Sequence, residues 1–337
     1  MPVDRRKERL DRGIRVRTES VYALSSLREL AYLAAPRALL IVGFLLLPVV
    51  VSPESYWGRV SLSVLILALL AISFDFLASY VGLVCLGGGF LYGIGAYATA
   101  VLNVHVGLPV ALCIPMATVG GAVVCTVLIL PCLPLRGIYF AIVTLMYPLL
   151  VARTIEATDI LGGTEGLRGV DGFGSAWVEA YGLIGAMLLF LFGMRRYLSE
   201  NAGLVIRAVG DDDQAVRAAG INVNAIRTRA VFIAAMPACF AGAWYTHMYS
   251  GTGISAFAMD LSIMPIAASV IGGPGTLAGG VLGSVILVPA SELLRDFGSL
   301  RIVAYSLLLT AFVVLRSEGL LNWAARRYHQ FERWVQA

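Results

Sequence analysis

The chain has 337 residues, enough for two soluble domains, but its composition is that of a membrane protein. Hydrophobic residues make up 59% of the sequence and charged residues 14%, whereas soluble domains average about 45–50% and about 25%. At about 20 apolar residues per membrane-spanning helix, the chain can supply roughly ten spans. We therefore predict an all-α, polytopic transmembrane helix bundle, which excludes a water-soluble enzyme.

The amino-terminal residues 1–37 form a polar, Arg-rich head. The first apolar run begins near Ala38, which is too late for a secretory signal peptide. Apolar residues are spaced through Ser20–Ala35, so we expect a surface helix there, with a disordered basic tail as the alternative. The membrane domain is predicted over residues 38–321, followed by a polar tail at 322–337.

Ten apolar runs follow the head and predict about ten spans. They lie at 38–51, 60–76, 81–102, 108–133, 138–152, 177–193, 230–249, 261–276, 277–293 and 302–315. Glycine and proline near residues 80, 105 and 276 blur the divisions between neighbouring runs at these three places.

The distribution of basic residues favours one orientation in the membrane. With the amino terminus in the cytoplasm, 20 Lys and Arg residues fall on the inner side and 5 on the outer side, as the positive-inside rule requires. An even number of spans then returns the carboxyl terminus to the cytoplasm. The polar segment 153–176 becomes an external loop and the segment 194–229 a cytoplasmic one.

The residues of the chain predict neither catalysis nor a metal site. Lysine occurs once, at Lys7, with no Gly-rich loop before it, so the chain has no P-loop for ATP. His105, His247 and His329 are dispersed without metal-ligand spacing. The 5 cysteines lie inside apolar runs, where we interpret them as small packing residues. We expect no enzymatic activity, no metal and no cofactor on this chain.

The cytoplasmic segment 194–229 contains the signals of a short helix. Asp211 can cap its start, and Gly220 can end it. Asp213 and Arg217 have the i,i+4 spacing of a favourable ion pair. We expect about two turns of polar helix, either as an ordinary solvated loop or as a surface that fits a groove on a partner.

Asp75 is the one acidic residue well inside a long apolar run. A charge at such depth costs about 3 kcal/mol on insertion scales, and residues of this kind usually mark a transport pathway. Its carboxylate either lines a substrate path, where it could attract an ammonium group, or lies close enough to the cytoplasmic end of its span to reach water.

The chain has 36 glycines, and several recur at a spacing of four. Small residues at this spacing let transmembrane helices approach closely, and helices packed in this way could also slide or tilt during alternating access. The glycines assigned to helix packing are Gly89, Gly93, Gly275, Gly279 and Gly283.

The external loop Ile160–Phe173 is rich in glycine and carries Thr164, Glu165, Arg168 and Asp171. It could receive a soluble binding protein, fold over the mouth of a channel, or serve only as a solvated connector.

Several motifs resemble those of one transporter family. The segment QAVRAAG (Gln214–Gly220) resembles the E-A-A-x-x-x-G loop of ABC-importer permeases. Stretches similar to the branched-chain amino-acid permeases follow in the family's order: ASYVGLVCLGGGFLYGIGAYATA (78–100), LRGIYFAIVTL (135–145), LGGTEGLRGV (161–170), IGGPGTLAGGVLGSVILVPASELLR (271–295) and RSEGLL (316–321). The resemblance spans residues 60 to 321 and fits the larger membrane subunit of these transporters best.

The resemblance implies the permease subunit of an ATP-binding-cassette importer, located in the bacterial inner membrane and forming the path for branched-chain or related hydrophobic amino acids. It implies two ATPase subunits, which bind the ATP, together with a sister permease and an extracytoplasmic binding protein. Coupling to the ATPases is assigned to Asp211, Asp212, Asp213, Gln214, Ala215, Arg217 and Gly220. Candidates for the substrate path are Asp75, Gly87, Gly88, Tyr92 and Thr144.

Two other transport functions stay open at this point. A related ABC permease could carry urea or short amides. An ion-coupled secondary transporter would work alone and should contain more than one buried ionisable residue, whereas only Asp75 qualifies here.

Overall fold

The structure is a computed structural model that describes residues 27–135, 137–295, 307, 310 and 319–324. The chain divides into two compact units, 1–46 and 47–337. Helix α1 comprises Leu27–Val50. The surface helix expected over Ser20–Ala35 begins outside the described residues, and it stays a prediction. The head at 1–26, most of the tail at 322–337 and most of the last predicted span at 302–315 lie outside the described residues.

The second unit is built almost entirely of helices. They are α2 (Tyr56–Asp75), α3 (Gly88–Val104), α4 (Val110–Ile129), α5 (Ile138–Thr158), α6 (Ala176–Ser199), α7 (Asn201–Asp211), α8 (Asp213–Ala218), α9 (Val223–Met248), α10 (Asp260–Gly272) and α11 (Ala278–Leu293). A six-residue π-helical turn (Phe76–Val81) extends α2.

Five helical segments of the described chain are long and apolar enough to cross a membrane. They are Tyr56–Val81, Val110–Cys132, Ile138–Thr158, Ala176–Ser199 and Val223–Met248. The all-α membrane fold is therefore confirmed, but the count of about ten spans is not. Part of the difference arises because α10 and α11, with 13 and 16 residues, are too short to cross about 30 Å of hydrocarbon at 1.5 Å per residue. The apolar part of α1 (Leu40–Val50) and α3, with 17 residues, are also short, and most of the predicted span 302–315 lies outside the described residues.

Breaks between helices occur near the three divisions that glycine and proline blur in the sequence. Helix α2 and its π turn end at Gly82, which has a left-handed φ of +72°, and α3 starts at Gly88. A second break lies between α3 and Pro109, and a third occupies residues 273–277 between α10 and α11. Glycine is needed in the third break because Gly273 and Gly275 adopt φ values of +121° and +79°.

Helix α2 forms the centre of the second unit. Ser55 caps its start by accepting a hydrogen bond from the Gly58 backbone N–H at 3.0 Å. The helix is apolar all round and its residues from Val64 to Ser73 are all buried, which is the pattern of a helix surrounded by others. It packs against α9, α10 and α11, while α9 also packs against α3 and α4.

The bundle has two distinct ends, joined by α9. Helices α7 and α8 lie at the start of α9, and the 26 residues of α9 then rise about 39 Å to Met248. At this far end two short strands, β1 (Leu167–Arg168) and β2 (Gly251–Thr252), pair antiparallel, with Leu167 opposite Thr252 and Arg168 opposite Gly251. We refer to these as the α7–α8 end and the ribbon end.

Candidate substrate cavity and coupling segment

A cavity of about 700 Å³ opens at the ribbon end of the bundle. Its volume lies within the roughly 300–1,000 Å³ typical of small-molecule sites. Aliphatic side chains of three helices form its wall: Ile66, Leu67 and Leu70 of α2, Leu261 and Met264 of α10, and Val288 of α11. The cavity therefore offers an apolar surface that comes from parts of the chain more than 200 residues apart.

Three tyrosines form another side of the cavity. The Tyr92 and Tyr245 rings lie edge to face with centroids 5.9 Å apart, and the Tyr245 and Tyr249 centroids are 4.5 Å apart. Tyr245 and Tyr249 are one turn apart at the end of α9, while Tyr92 lies on α3. These rings add a surface that is both apolar and able to hydrogen-bond.

Two charged side chains on the strand segment line the same cavity. Glu165 and Arg168 both contribute to its surface and are both exposed. The backbone beneath them is fixed, because β1 pairs with β2 and Gly166 lies so close to Thr252 that an added methyl group would overlap its carbonyl oxygen. Among the described residues, neither Glu165 nor Arg168 forms an ion pair, with each other or with another side chain.

A third charge at the cavity, Glu292, is held in a hydrogen-bonded group. Its Oε1 accepts from the Tyr56 hydroxyl and from Arg295 Nη1, the latter at 2.9 Å. The hydrogen bonds to Glu292 and Tyr56 raise the pKa of the Arg295 guanidinium above its ordinary value. Glu292 therefore ties the end of α11 to the start of α2, and its negative charge is balanced locally.

The loop Ile160–Phe173 is anchored to the bundle by hydrogen bonds of Asp171. The Asn103 side chain donates to Asp171 Oδ2 at 3.0 Å and accepts from the Asp171 backbone N–H at 2.8 Å. His247 lies within hydrogen-bond distance of the Asp171 carbonyl oxygen, at 2.7 Å, and of the Thr99 hydroxyl, at 2.9 Å. These contacts fix the end of the loop, while Glu165 and Arg168 line the cavity; the role of the loop stays a prediction.

Asp75 lies at the end of α2 and is fully buried. Its Oδ1 accepts from the Ser79 hydroxyl at 2.7 Å, the Ser269 hydroxyl at 3.2 Å and the Gly275 backbone N–H at 2.8 Å. Its Oδ2 accepts from the Leu277 backbone N–H at 2.8 Å. The carboxylate thus satisfies backbone donors in the break before α11, where its charge also suits the positive end of that helix.

The predicted path residues lie in different places. Of the five, Tyr92 lines the large cavity, and Asp75 does not reach it or water in this conformation. Thr144 Oγ1 accepts from the Leu86 N–H at 3.1 Å, in the break before α3, and Gly87 lies so close that a methyl group on it would be 2.9 Å from the Thr144 carbonyl oxygen. Gly88 lies against the Leu261 backbone. Their assignment to the substrate path stays a prediction.

Four of the glycines assigned to packing lie where a side chain would not fit. A methyl group on Gly93 would overlap the Phe257 ring, and one on Gly89 would be 2.9 Å from the Ala258 carbonyl oxygen. On α11, Gly279 and Gly283 lie against the backbone of α10. Gly275 differs, because a methyl group there would make only an ordinary contact, and its positive φ is the constraint.

The predicted coupling segment forms two short helices with a sharp turn between them. Asp212, rather than Asp211, caps α8, and its carboxylate accepts from the Gln214 and Ala215 N–H groups at 2.9 and 3.2 Å. Gly220 ends the helix at φ +81°, as predicted. Gln214, Ala215, Arg217 and Gly220 are exposed, and so are Asp211 and Asp212.

The face of α8 that is turned toward the bundle packs against α7 and α9. Val216 packs with Val209 of α7 and Val223 of α9 in a small apolar cluster. Asp213 lies 3.8 Å from Arg217 and 3.6 Å from the buried Arg227 of α9. One face of this helix is therefore exposed, while the other is attached to the longest helix of the second unit.

Helix α7 also contacts the end of α2. Gly210 lies against the Tyr80 backbone, and the Arg207 guanidinium lies 5.4 Å from the centre of the Tyr80 ring. The Tyr80 hydroxyl donates to the Gly275 carbonyl at 2.6 Å. A continuous set of contacts thus joins α7 to the break between α10 and α11, where Asp75 also binds.

No cluster of three or more His, Cys, Asp or Glu that could hold a metal ion occurs in the part of the chain that the structure describes. All five cysteines are buried and unbridged, as expected for packing residues.

Most of the cavity residues, including Tyr245, Tyr249 and Glu292, were not predicted from the sequence. The i,i+4 spacing of the two tyrosines was the available signal for a shared helix face. Nothing in the sequence places that face opposite Tyr92. Glu165 and Arg168 were noted in the external loop but were not assigned to the substrate path.

Comparisons with known proteins identify the family. A family profile described as "Branched-chain amino acid transport system / permease component" matches residues 57–316. The high-affinity branched-chain amino acid transport system permease protein LivM of Salmonella typhimurium is 30% identical over 288 residues, covering 76% of this chain and 68% of that protein. The protein of the same name from Escherichia coli is 29% identical over 297 residues, covering 78% and 70%.

A probable branched-chain amino acid transport permease protein LivM of Methanocaldococcus jannaschii is 30% identical over 227 residues, covering 62% of this chain and 65% of that protein. No solved structure matches the chain. The family resemblance predicted from the motifs is confirmed, as is the expectation that the chain is not an enzyme. The chain belongs to the branched-chain amino acid transport permease family and is a multi-pass membrane permease component.

Proposed function

We propose that this chain forms the translocation path of an ATP-binding-cassette importer for branched-chain or related hydrophobic amino acids. The observation that carries the proposal is the arrangement of two features at opposite ends of α9. An apolar cavity with a charged rim opens at the ribbon end, and a short helix with an exposed face lies at the α7–α8 end. An importer subunit needs both a solute site and a surface that contacts the ATPase subunits and moves with them.

The α7–α8 end faces the cytoplasm in this proposal, and the ribbon end faces outward. The excess of basic residues in segments 1–37, 194–229 and 316–337 supports this orientation, with both termini in the cytoplasm and the chain in the inner membrane of a bacterium. Two ATPase subunits contact α8 and bind the ATP, so the chain itself needs no cofactor. A sister permease completes the path and an extracytoplasmic binding protein delivers the solute.

The exposed face of α8 gives a direct test of the ATPase contact. We expect Ala215→Arg to prevent co-purification of P-loop ATPases with the full chain, because a long charged side chain would stand in the docking surface. This substitution does not alter the opposite face of α8, where Val216 and Asp213 contact the bundle. Co-purification from membranes of the source organism, followed by mass spectrometry, measures the effect.

A matched control is Ala157→Arg, since Ala157 is also exposed but lies near the end of α5, at the ribbon end. This variant should retain the ATPases. The proposal fails if the unmodified chain purifies without any P-loop ATPase, or if the Ala215 and Ala157 variants retain the ATPases equally.

A further inference from the structure

The cavity at the ribbon end carries two opposite charges beside an aliphatic wall. We propose that it is a binding site for a zwitterionic amino acid with a branched aliphatic side chain, in which Arg168 contacts the carboxylate and Glu165 faces the ammonium group. This inference rests on the proposed function, and it names the side chains that would select the solute.

The two charges are placed where one small solute could meet both. Glu165 and Arg168 are three residues apart, so their backbones are at most about 11 Å apart along an extended chain. Both side chains are long enough to converge on the cavity that they line. The pairing of Arg168 with Gly251 across the ribbon holds the backbone of this segment in place.

The two charges are also available for a ligand. In the described chain neither forms an ion pair, although opposite charges at this spacing could have neutralised each other. Glu292 at the same cavity is different, because Tyr56 and Arg295 already bind it. An arginine forms two parallel hydrogen bonds with a carboxylate, and a carboxylate accepts hydrogen bonds from an ammonium group.

The aliphatic wall of the cavity determines which side chain the solute can have. Ile66, Leu67 and Leu70 of α2 are nearly fully buried, with 5%, 5% and 2% of their surface exposed. Together with Met264 and Val288, they present methyl and methylene groups to the cavity. Burial of an aliphatic side chain against such a wall contributes about 25 cal/mol per Å² of apolar surface removed from water, whereas urea or a short amide would leave the wall empty.

The test uses the purified full chain in nanodiscs and tritiated L-leucine as the probe. Two analogues each lack one charge: 4-methylpentanoate has no ammonium group, and isoamylamine has no carboxylate. We expect leucine to bind and to be displaced by unlabelled leucine. Each analogue should compete at least about tenfold more weakly, the loss expected for a charge-assisted hydrogen bond, and urea should not compete.

Two substitutions assign each charge to one end of the solute. Arg168→Gln should weaken leucine binding by about tenfold or more and abolish the preference for leucine over isoamylamine. Glu165→Gln should weaken it similarly and abolish the preference for leucine over 4-methylpentanoate. Arg153→Gln is the control, because Arg153 pairs with Glu156 on α5 and does not line the cavity; it should bind like the unmodified chain.

The inference is overturned if the unmodified chain does not bind leucine, or if both variants bind and discriminate as it does. It is equally overturned if the variants keep leucine binding but lose docking of a binding protein, since the charges would then serve a protein contact. ATP-driven leucine uptake by the assembled transporter with unaltered discrimination in both variants would reject this site while leaving the proposed function intact.

Discussion

Asp75 is accommodated inside an apolar helix because four hydrogen-bond donors surround its carboxylate. Two are hydroxyls, and two are backbone N–H groups of the break before α11. Irregular backbone inside a membrane must have its polar groups satisfied by the protein. The charge therefore stabilises a helix break, and the cost of burying it is offset by these donors.

We expect Asp75→Asn to destabilise the protein. The amide keeps one acceptor oxygen and presents an NH₂ group toward a donor, so at least one buried N–H loses its partner, which costs about 1–3 kcal/mol. A lower apparent Tm of the detergent-solubilised chain would show this. Leucine binding by the folded fraction should persist, because Asp75 does not line the cavity.

The control for this change is Asp260→Asn, because Asp260 is exposed at the start of α10. It should alter the apparent Tm much less. If Asp75→Asn left the Tm unchanged and abolished leucine binding, Asp75 would belong to the substrate path and the structural role argued above would be wrong.

At the level of single residues, Asp75 could be identified from the sequence, but its hydrogen-bond donors could not. Its unusual position in an apolar run was visible directly. Its partners Ser269, Gly275 and Leu277 lie 194 to 202 residues away, and no local pattern indicates contacts over such a separation. By contrast, the helix stop at Gly220 depends only on local backbone conformation, and it was predicted correctly.

Helices α10 and α11 show how glycine spacing determines packing at the scale of elements. Gly272 of α10 and Gly279 of α11 lie backbone to backbone, and Gly283 lies against Ala268. The spacing of Gly279 and Gly283 predicted a close contact. It did not predict that the partner would be the preceding helix, because spacing within one helix does not indicate which helix lies opposite.

We expect Gly283→Ala to destabilise the protein by about 1–3 kcal/mol, the usual cost of overpacking. The added methyl group would overlap the Ala268 carbonyl oxygen, which belongs to a helix backbone and cannot rotate away. The temperature at which the monodisperse peak disappears in size-exclusion chromatography reports this loss.

Gly185→Ala is the matched variant on α6. Among the described residues, no atom outside the neighbouring part of its own helix lies within 4 Å of the position that the methyl group would take, and alanine favours a helix over glycine. This variant should be as stable as the unmodified chain or more so. Equal losses in the two variants would mean that close packing of α10 and α11 does not determine stability.

On the scale of the whole molecule, α8 and the cavity are connected by continuous contacts between residues. Helix α8 is attached to α9 through Val216, Val223 and the Asp213–Arg227 pair. Tyr245 in the last turn of α9 and Tyr249 just after the helix line the cavity. A second set of contacts runs from Arg207 through Tyr80 to Gly275. Movement of α8 would therefore be transmitted to both α9 and the α10–α11 pair, whose side chains line the cavity.

Composition was enough to predict a helical membrane protein, and collinear motifs were enough to predict its family. The cavity was not predictable in the same way, because its wall joins Leu67, Tyr92, Tyr245 and Val288 from four separate helices. Such a surface depends on tertiary packing, which hydropathy and motif spacing do not encode.

The most direct test of the central claim is leucine accumulation in proteoliposomes. We expect that vesicles with this chain alone do not concentrate tritiated leucine under a proton or sodium gradient. Vesicles with the chain, its sister permease and the ATPases, supplied with binding protein, should accumulate it only when ATP is present on the ATPase side. Concentration of leucine by the chain alone would contradict the account, because the chain would then be a self-sufficient transporter.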